Sequence, residues 1–161
     1  MTRIVVLLVA FIFTNPAIAW AQVPYDDDKT PAGWAWSQIR RDEIADFNQH
    51  CMKELDPRAE TEWGDPCRQI LAQFLMDVLT KPKFRYQIPQ HGVRLRGAHI
   101  VGTIDLADTE IRPAVRIHGS RIEGDATLDD SRWKRPLSLR GSTIAGGFSA
   151  ERECTPIARF C

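Results

Sequence analysis

The sequence predicts a mainly β protein. The expected form is a short parallel β-solenoid of 22 residues per coil, in two 11-residue halves, capped by an N-terminal α-helical hairpin. Two observations carry that class. Residues 93–147 read as five gapless elevens with Leu or Ile at every third place. Ahead of them, two runs of apolar residues at helical spacing flank Pro57.

The elements follow in chain order. Residues 1–21 read as a secretory signal peptide: Arg3, an apolar run from Ile4 to Phe13, then the small-x-small site Ala19-Trp20-Ala21. The run is too short to span a bilayer comfortably, which takes about 20 apolar residues. The protein is therefore expected to be exported, periplasmic or secreted, with an uncleaved membrane anchor as the lesser alternative. Residues 22–33, with Pro24, Asp26-Asp27-Asp28, Pro31 and Gly33, read as an exposed linker.

Residues 34–82 are the expected hairpin. Trp36, Ile39, Ile44, Phe47, Cys51 and Leu55 can share one helical face, which Pro57 ends. Asp65-Pro66 signals a second start, Asp as N-cap and Pro at the first helical position. Ile70, Leu71, Phe74, Leu75, Val78 and Leu79 form its stripe, ended by Lys81-Pro82. Export makes disulfides plausible chemistry for Cys51, Cys67, Cys154 and Cys161. Four cysteines allow three connectivities. Local spacing and the antiparallel hairpin favour Cys51–Cys67, with Cys154–Cys161 as the second pair.

Residues 83–150 are the expected solenoid. Phe84, Tyr86 and Ile88 alternate with polar residues as an entry strand. In the elevens the third place holds Leu95, Leu106, Ile117, Leu128 and Leu139, and the eighth Ile100, Ile111, Ile122, Trp133 and Ile144. The sixth is small: Ala98, Thr109, Ser120, Ser131, Ser142. The fifth alternates Gly97, Asp108, Gly119, Asp130, Gly141, which makes the unit 22 residues. Strands this short bury nothing alone, but stacked coils align Leu and Ile into ladders about 4.8 Å apart. Gly and Asp suit the corners between sides. A helix of the same period is excluded by Pro113, Pro136 and Gly146-Gly147. A sixth eleven from Phe148 fails, with Ala150 where Leu is expected, so the array reads as truncated and residues 151–161 as an irregular tail.

Ala98-x-Ile100, Thr109-x-Ile111, Ser120-x-Ile122, Ser131-x-Trp133 and Ser142-x-Ile144 place a small residue two before a central apolar one. In this the chain resembles the pentapeptide-repeat family, in a degenerate, exported bacterial form with 5+6 spacing, over about residues 34–150. The resemblance implies a right-handed quadrilateral β-helix without catalytic machinery.

The functional clue is charge placement. The chain carries 21 Lys+Arg and 21 Asp+Glu, but the outward places of odd copies hold Arg94, Arg96, Arg116, His118, Ser138 and Arg140. The same places of even copies hold Asp105, Ala107, Thr127 and Asp129. Opposed basic and acidic faces point to an interaction module or scaffold without enzymatic activity. Its expected partner is an anionic envelope glycolipid, or a second copy met through the solenoid end. A DNA mimic should be strongly negative, whereas residues 93–150 carry nine Lys+Arg and seven Asp+Glu, so a DNA-mimic topoisomerase inhibitor is the weakest alternative, and no nucleic-acid partner is expected. A carbohydrate-acting β-helix enzyme is the alternative, with Asp108 and Asp130 as stacked carboxylates that turns explain better. No CxxC occurs and His91, His99 and His118 occupy different repeat places, so neither metal nor cofactor is expected.

Overall fold

The computed structural model describes residues 25, 27–60 and 62–151. Helix α1, Pro31–Arg40, starts at Thr30, whose Oγ1 accepts from Gly33 N at 3.0 Å. Pro31 occupies the first helical position, where its missing N–H costs nothing. The chain turns through Asp42 at φ +60° into strand β1, Ala45–Asp46, and helix α2, Phe47–His50. Asp65 then caps a single 3-10 turn, Pro66–Arg68, followed by β2, Gln69–Leu71, and α3, Ala72–Thr80. Helix α4, Pro82–Arg85, begins on another proline.

The remaining strands are β3 (Val93–Arg96), β4 (His99–Val101), β5 (Ile104–Asp105), β6 (Glu110–Ile111), β7 (Val115–His118) and β8 (Arg121–Ile122). After them come β9 (Ala126–Thr127), β10 (Arg132–Trp133), β11 (Leu137–Ser138), β12 (Thr143–Ile144) and β13 (Phe148–Ser149). They pair in parallel as β1-β3-β7-β11, β10-β6, β12-β8-β4-β2 and β13-β9-β5. Every pairing within β3 to β13 joins residues 22 apart, as in Val93 with Val115 and Val115 with Leu137.

This architecture overturns the mainly β class. The described residues form four α-helices and four short parallel sheets of two to four strands, with helix and strand in roughly equal amounts and no single long solenoid. The helical hairpin is replaced as well. Ala45–Asp46 pairs with Leu95–Arg96, and Gln69–Leu71 pairs with His99–Val101. Sheet edges thus claim backbone inside both expected helices, and long-range pairing prevails over amphipathic spacing. The entry strand at 84–88 is also absent: Pro82 starts α4 there, with Phe84 buried and Tyr86 exposed.

Cys51 and Cys67 form a disulfide with Cα atoms 5.9 Å apart. It joins the end of α2 to the 3-10 turn. Cys154 and Cys161, the signal segment and the tail from residue 152 lie outside the described residues. Tyr25, from the segment read as exposed linker, is buried and packs its ring 4.9 Å from that of Phe74. Its hydroxyl lies 3.3 Å from Asp77 Oδ2, and burial, aided by the Asp77 charge, pushes its pKa up to about 12.

One apolar core joins helices to sheets. Trp36 and Ile39 of α1 and Phe74, Leu75 and Leu79 of α3 meet Leu95, Ile100, Leu106, Ile111 and Ile117. Each such side chain contributes roughly 1.5–3 kcal/mol by leaving water. The last row is less enclosed: Leu128, Trp133, Leu137, Leu139 and Ile144 are half-buried and Phe148 is exposed. Strands β10 to β13 each have one pairing neighbour among the described residues.

Candidate functional site

The sheet β1-β3-β7-β11 stacks the outward positions of the odd repeats into two rows. Arg94 lies beside Arg116, and Arg116 beside Ser138. Arg96 lies beside His118, and Gly119 N donates to the Arg140 carbonyl at 3.1 Å, which carries that row on to Arg140. The strand period puts these side chains on one face and Val93, Leu95, Val115 and Ile117 in the core. All five expected basic residues therefore share a face.

That face is concave. The five basic residues line a groove of about 600 Å³. Ile44, Asn48, Glu54, Leu55 and Pro57 form its wall. Ile44 is half-exposed there, at 51% of its surface. These wall residues come from the stretch between α1 and the 3-10 turn, which sequence spacing assigned to a continuous helix. Only the chain reversal at Asp42 and the pairing of β1 bring them over the arginines.

The arginines are not equivalent. Arg94 is committed to structure: its Nη2 donates to the carbonyl and, at 3.3 Å, to the carboxylate of Asp42. The same carboxylate lies 2.6 Å from His91 Nδ1. Arg96, itself half-exposed, sits 3.6 Å from Oδ2 of the mostly buried Asp46 and 3.5 Å from Oε1 of the exposed Glu54, a pair that holds it weakly. Arg116 Nη1 donates to the His91 carbonyl at 3.1 Å. Arg140 has no ion pair among the described residues. His118 Nε2 lies 2.9 Å from Ser138 Oγ. Burial, then the positive charges of Arg140, Arg116 and Arg96, push the His118 pKa down. Asp42, Asp46 and Glu54 thus stand against Arg94 and Arg96, and the positive charge without an ion pair among the described residues is that of Arg116 and Arg140.

The even copies behave differently. Asp108 and Asp130 adopt φ +53° and +50°, as corners, where Asp tolerates the left-handed region. Asp129 accepts from Ser149 Oγ at 2.5 Å and Glu151 N at 2.7 Å, and those bonds hold its carboxyl below the usual range. Among the described residues no group of three His, Cys, Asp or Glu side chains could hold a metal ion, and no helix is long and apolar enough to cross a membrane. His99 is buried with Nε2 2.5 Å from Glu123 Oε2 and its ring against Trp63, a packing role.

No protein-family model matches this sequence, and comparisons with curated proteins and with solved structures return no match. The pentapeptide-repeat resemblance rests on the repeat residues alone.

Proposed function

We propose that this chain is a non-enzymatic interaction module that holds a phosphate-bearing envelope glycolipid in the Arg96–His118–Arg140 groove. The observation behind the reading is the row itself: three stacked basic side chains, beside Arg116, inside one concavity. Arginine forks suit phosphate oxygens, and a bound anion would relieve the charges of Arg116 and Arg140, which have no ion pair among the described residues. Ile44, Leu55 and Pro57 give the wall an apolar side, which suits an amphiphile better than a free ion. The balanced net charge disfavours nucleic acid, whose binding draws on a broad basic surface.

The test is co-sedimentation with vesicles carrying a phosphorylated glycolipid, against neutral vesicles. The triple variant R96S/R116S/R140S leaves Arg94 and its Asp42 contacts in place. Binding should weaken at least tenfold in that variant and fall with salt. Equal binding by the variant, or equal binding to neutral vesicles, would refute the assignment.

A further inference from the structure

A second recess shares no lining residue with the groove. Arg85 of α4, Arg112 after β6 and Arg135 after β10 converge on a space of about 250 Å³. Tyr86, Pro89 and Pro113 supply its apolar surface. Tyr86 is 76% exposed, an unusual place for a ring with nothing to cover. Arg85 Cζ lies 5.4 Å from its centroid, so the guanidinium and the ring are held together. Arg85 Nε is buried without a hydrogen-bond partner. Arg135 Nη1 donates to the Gln90 carbonyl at 2.9 Å, which anchors that side chain at the rim. The cluster's field registers on neighbouring Glu110. A hydrogen bond from Arg112, then the charges of Lys134, Arg112 and Arg85, hold its carboxyl below the usual range.

We propose that this recess binds one acidic sugar residue, as found along a uronic-acid polysaccharide. Arginine forks match a carboxylate in two parallel bonds. The Tyr86 ring and the two prolines offer flat apolar surface to the C–H face of a pyranose. A free phosphate would use the arginines and leave Tyr86 idle. Arg112 is already paired with Glu110 at 2.8 Å, so a neutral sugar would use Tyr86 and leave the Arg85 and Arg135 charges without a carboxylate. An acidic sugar engages both. The space is smaller than the roughly 300–1,000 Å³ of drug-sized pockets, which suits a single ring of a longer chain lying across the surface. This inference is independent of the glycolipid groove.

The experiment is titration calorimetry of the full chain with an oligogalacturonate, its carboxyl-reduced neutral counterpart, and inorganic phosphate. The oligogalacturonate should bind, the reduced oligomer should not, and phosphate should compete only weakly. Tyr86→Ala and the double variant R85Q/R135Q should each weaken binding at least tenfold, while Tyr86→Phe keeps it within about twofold and circular dichroism shows all three folded. R96S/R116S/R140S should bind the oligogalacturonate as the parent does, which separates this recess from the groove. Absence of oligogalacturonate binding, equal affinity in Tyr86→Ala, or phosphate competing as strongly as the oligomer would each overturn the proposal.

Discussion

Arg68 Nη1 donates a hydrogen bond to the carbonyl oxygen of Gly97 at 3.1 Å, deep inside the molecule. The same guanidinium reaches Asn48 Oδ1 at 3.2 Å and, through Nη2, the Lys53 carbonyl at 2.7 Å. One buried side chain thus ties α2, the loop after it and the corner following β3. That loop carries Glu54, Leu55 and Pro57, so Arg68 positions the wall of the basic groove without touching its cavity.

Arg68→Ala should therefore cost about 3 kcal/mol, since it strands the Gly97 and Lys53 carbonyl acceptors. Arg68→Lys should recover little, because an ammonium cannot serve three acceptors in a planar fork. Urea denaturation of the variants checks both. A loss below about 1 kcal/mol for Arg68→Ala would show the clip to be dispensable.

The Cys51–Cys67 disulfide closes the loop that Arg68 also holds. On the chain-entropy model, joining cysteines 16 residues apart contributes about 3 kcal/mol. Replacing Cys51 and Cys67 together by Ser should lower the unfolding free energy by that order. Vesicle binding should weaken too, because the wall is less fixed. Unfolding curves with and without reductant test the first effect, and co-sedimentation the second.

Gly97 and Gly119 occupy the same repeat place at φ +65° and +54°. A Cβ on Gly97 would lie 2.2 Å from Asn48 Oδ1, whereas one on Gly119 meets nothing within 4 Å. Gly119→Ala should then show only the left-handed penalty of roughly 1–2 kcal/mol. Gly97→Ala should cost clearly more and disturb Asn48, a partner of Arg68. Parallel thermal melts decide it, and equal losses would remove the role given to the Asn48 contact.

His118 takes up its proton at lower pH in the folded protein than in the unfolded chain. Between those two values the unfolded state binds more protons, so stability rises with pH across the interval. The contribution is complete above the ordinary histidine pKa of 6.5 and is lost as pH falls through the lowered folded value. His118→Asn should flatten this acid-side loss, measured as stability between pH 5 and 8. A bound anion offsets the arginine charges and favours the imidazolium. Vesicle affinity should therefore strengthen on acidification in the parent and lose that dependence in His118→Asn.

Much of the repeat region was legible from residue identity. Leu95, Ile117 and the other third-place residues mark their own ladders. Gly97 and Asp108 mark corners, because few residues accept a positive φ. The basic face could be read because strand alternation and a constant repeat length place Arg94, Arg96, Arg116, His118 and Arg140 together. The Cys51–Cys67 pair was legible by spacing alone, although the hairpin invoked for it does not form.

The rest depended on partners far away in the chain. Ala45–Asp46 and Gln69–Leu71 are too short to declare themselves as strands, and their spacing suits a helix. They become strands because Leu95–Arg96 and His99–Val101 offer open backbone edges whose hydrogen bonds must be met. Arg68 carries no repeat or spacing signal, and only burial among three acceptors from elsewhere in the chain makes it a clip. Arg85, Tyr86, Arg112 and Arg135 share no repeat place, and only the fold gathers them. By itself, then, the sequence determined the 22-residue register, the corners and the charged face, which are local and periodic. Tertiary structure alone decided the balance of helix and strand, the groove wall and the second recess, because those arise where non-repeating segments compete for the edges of the repeats.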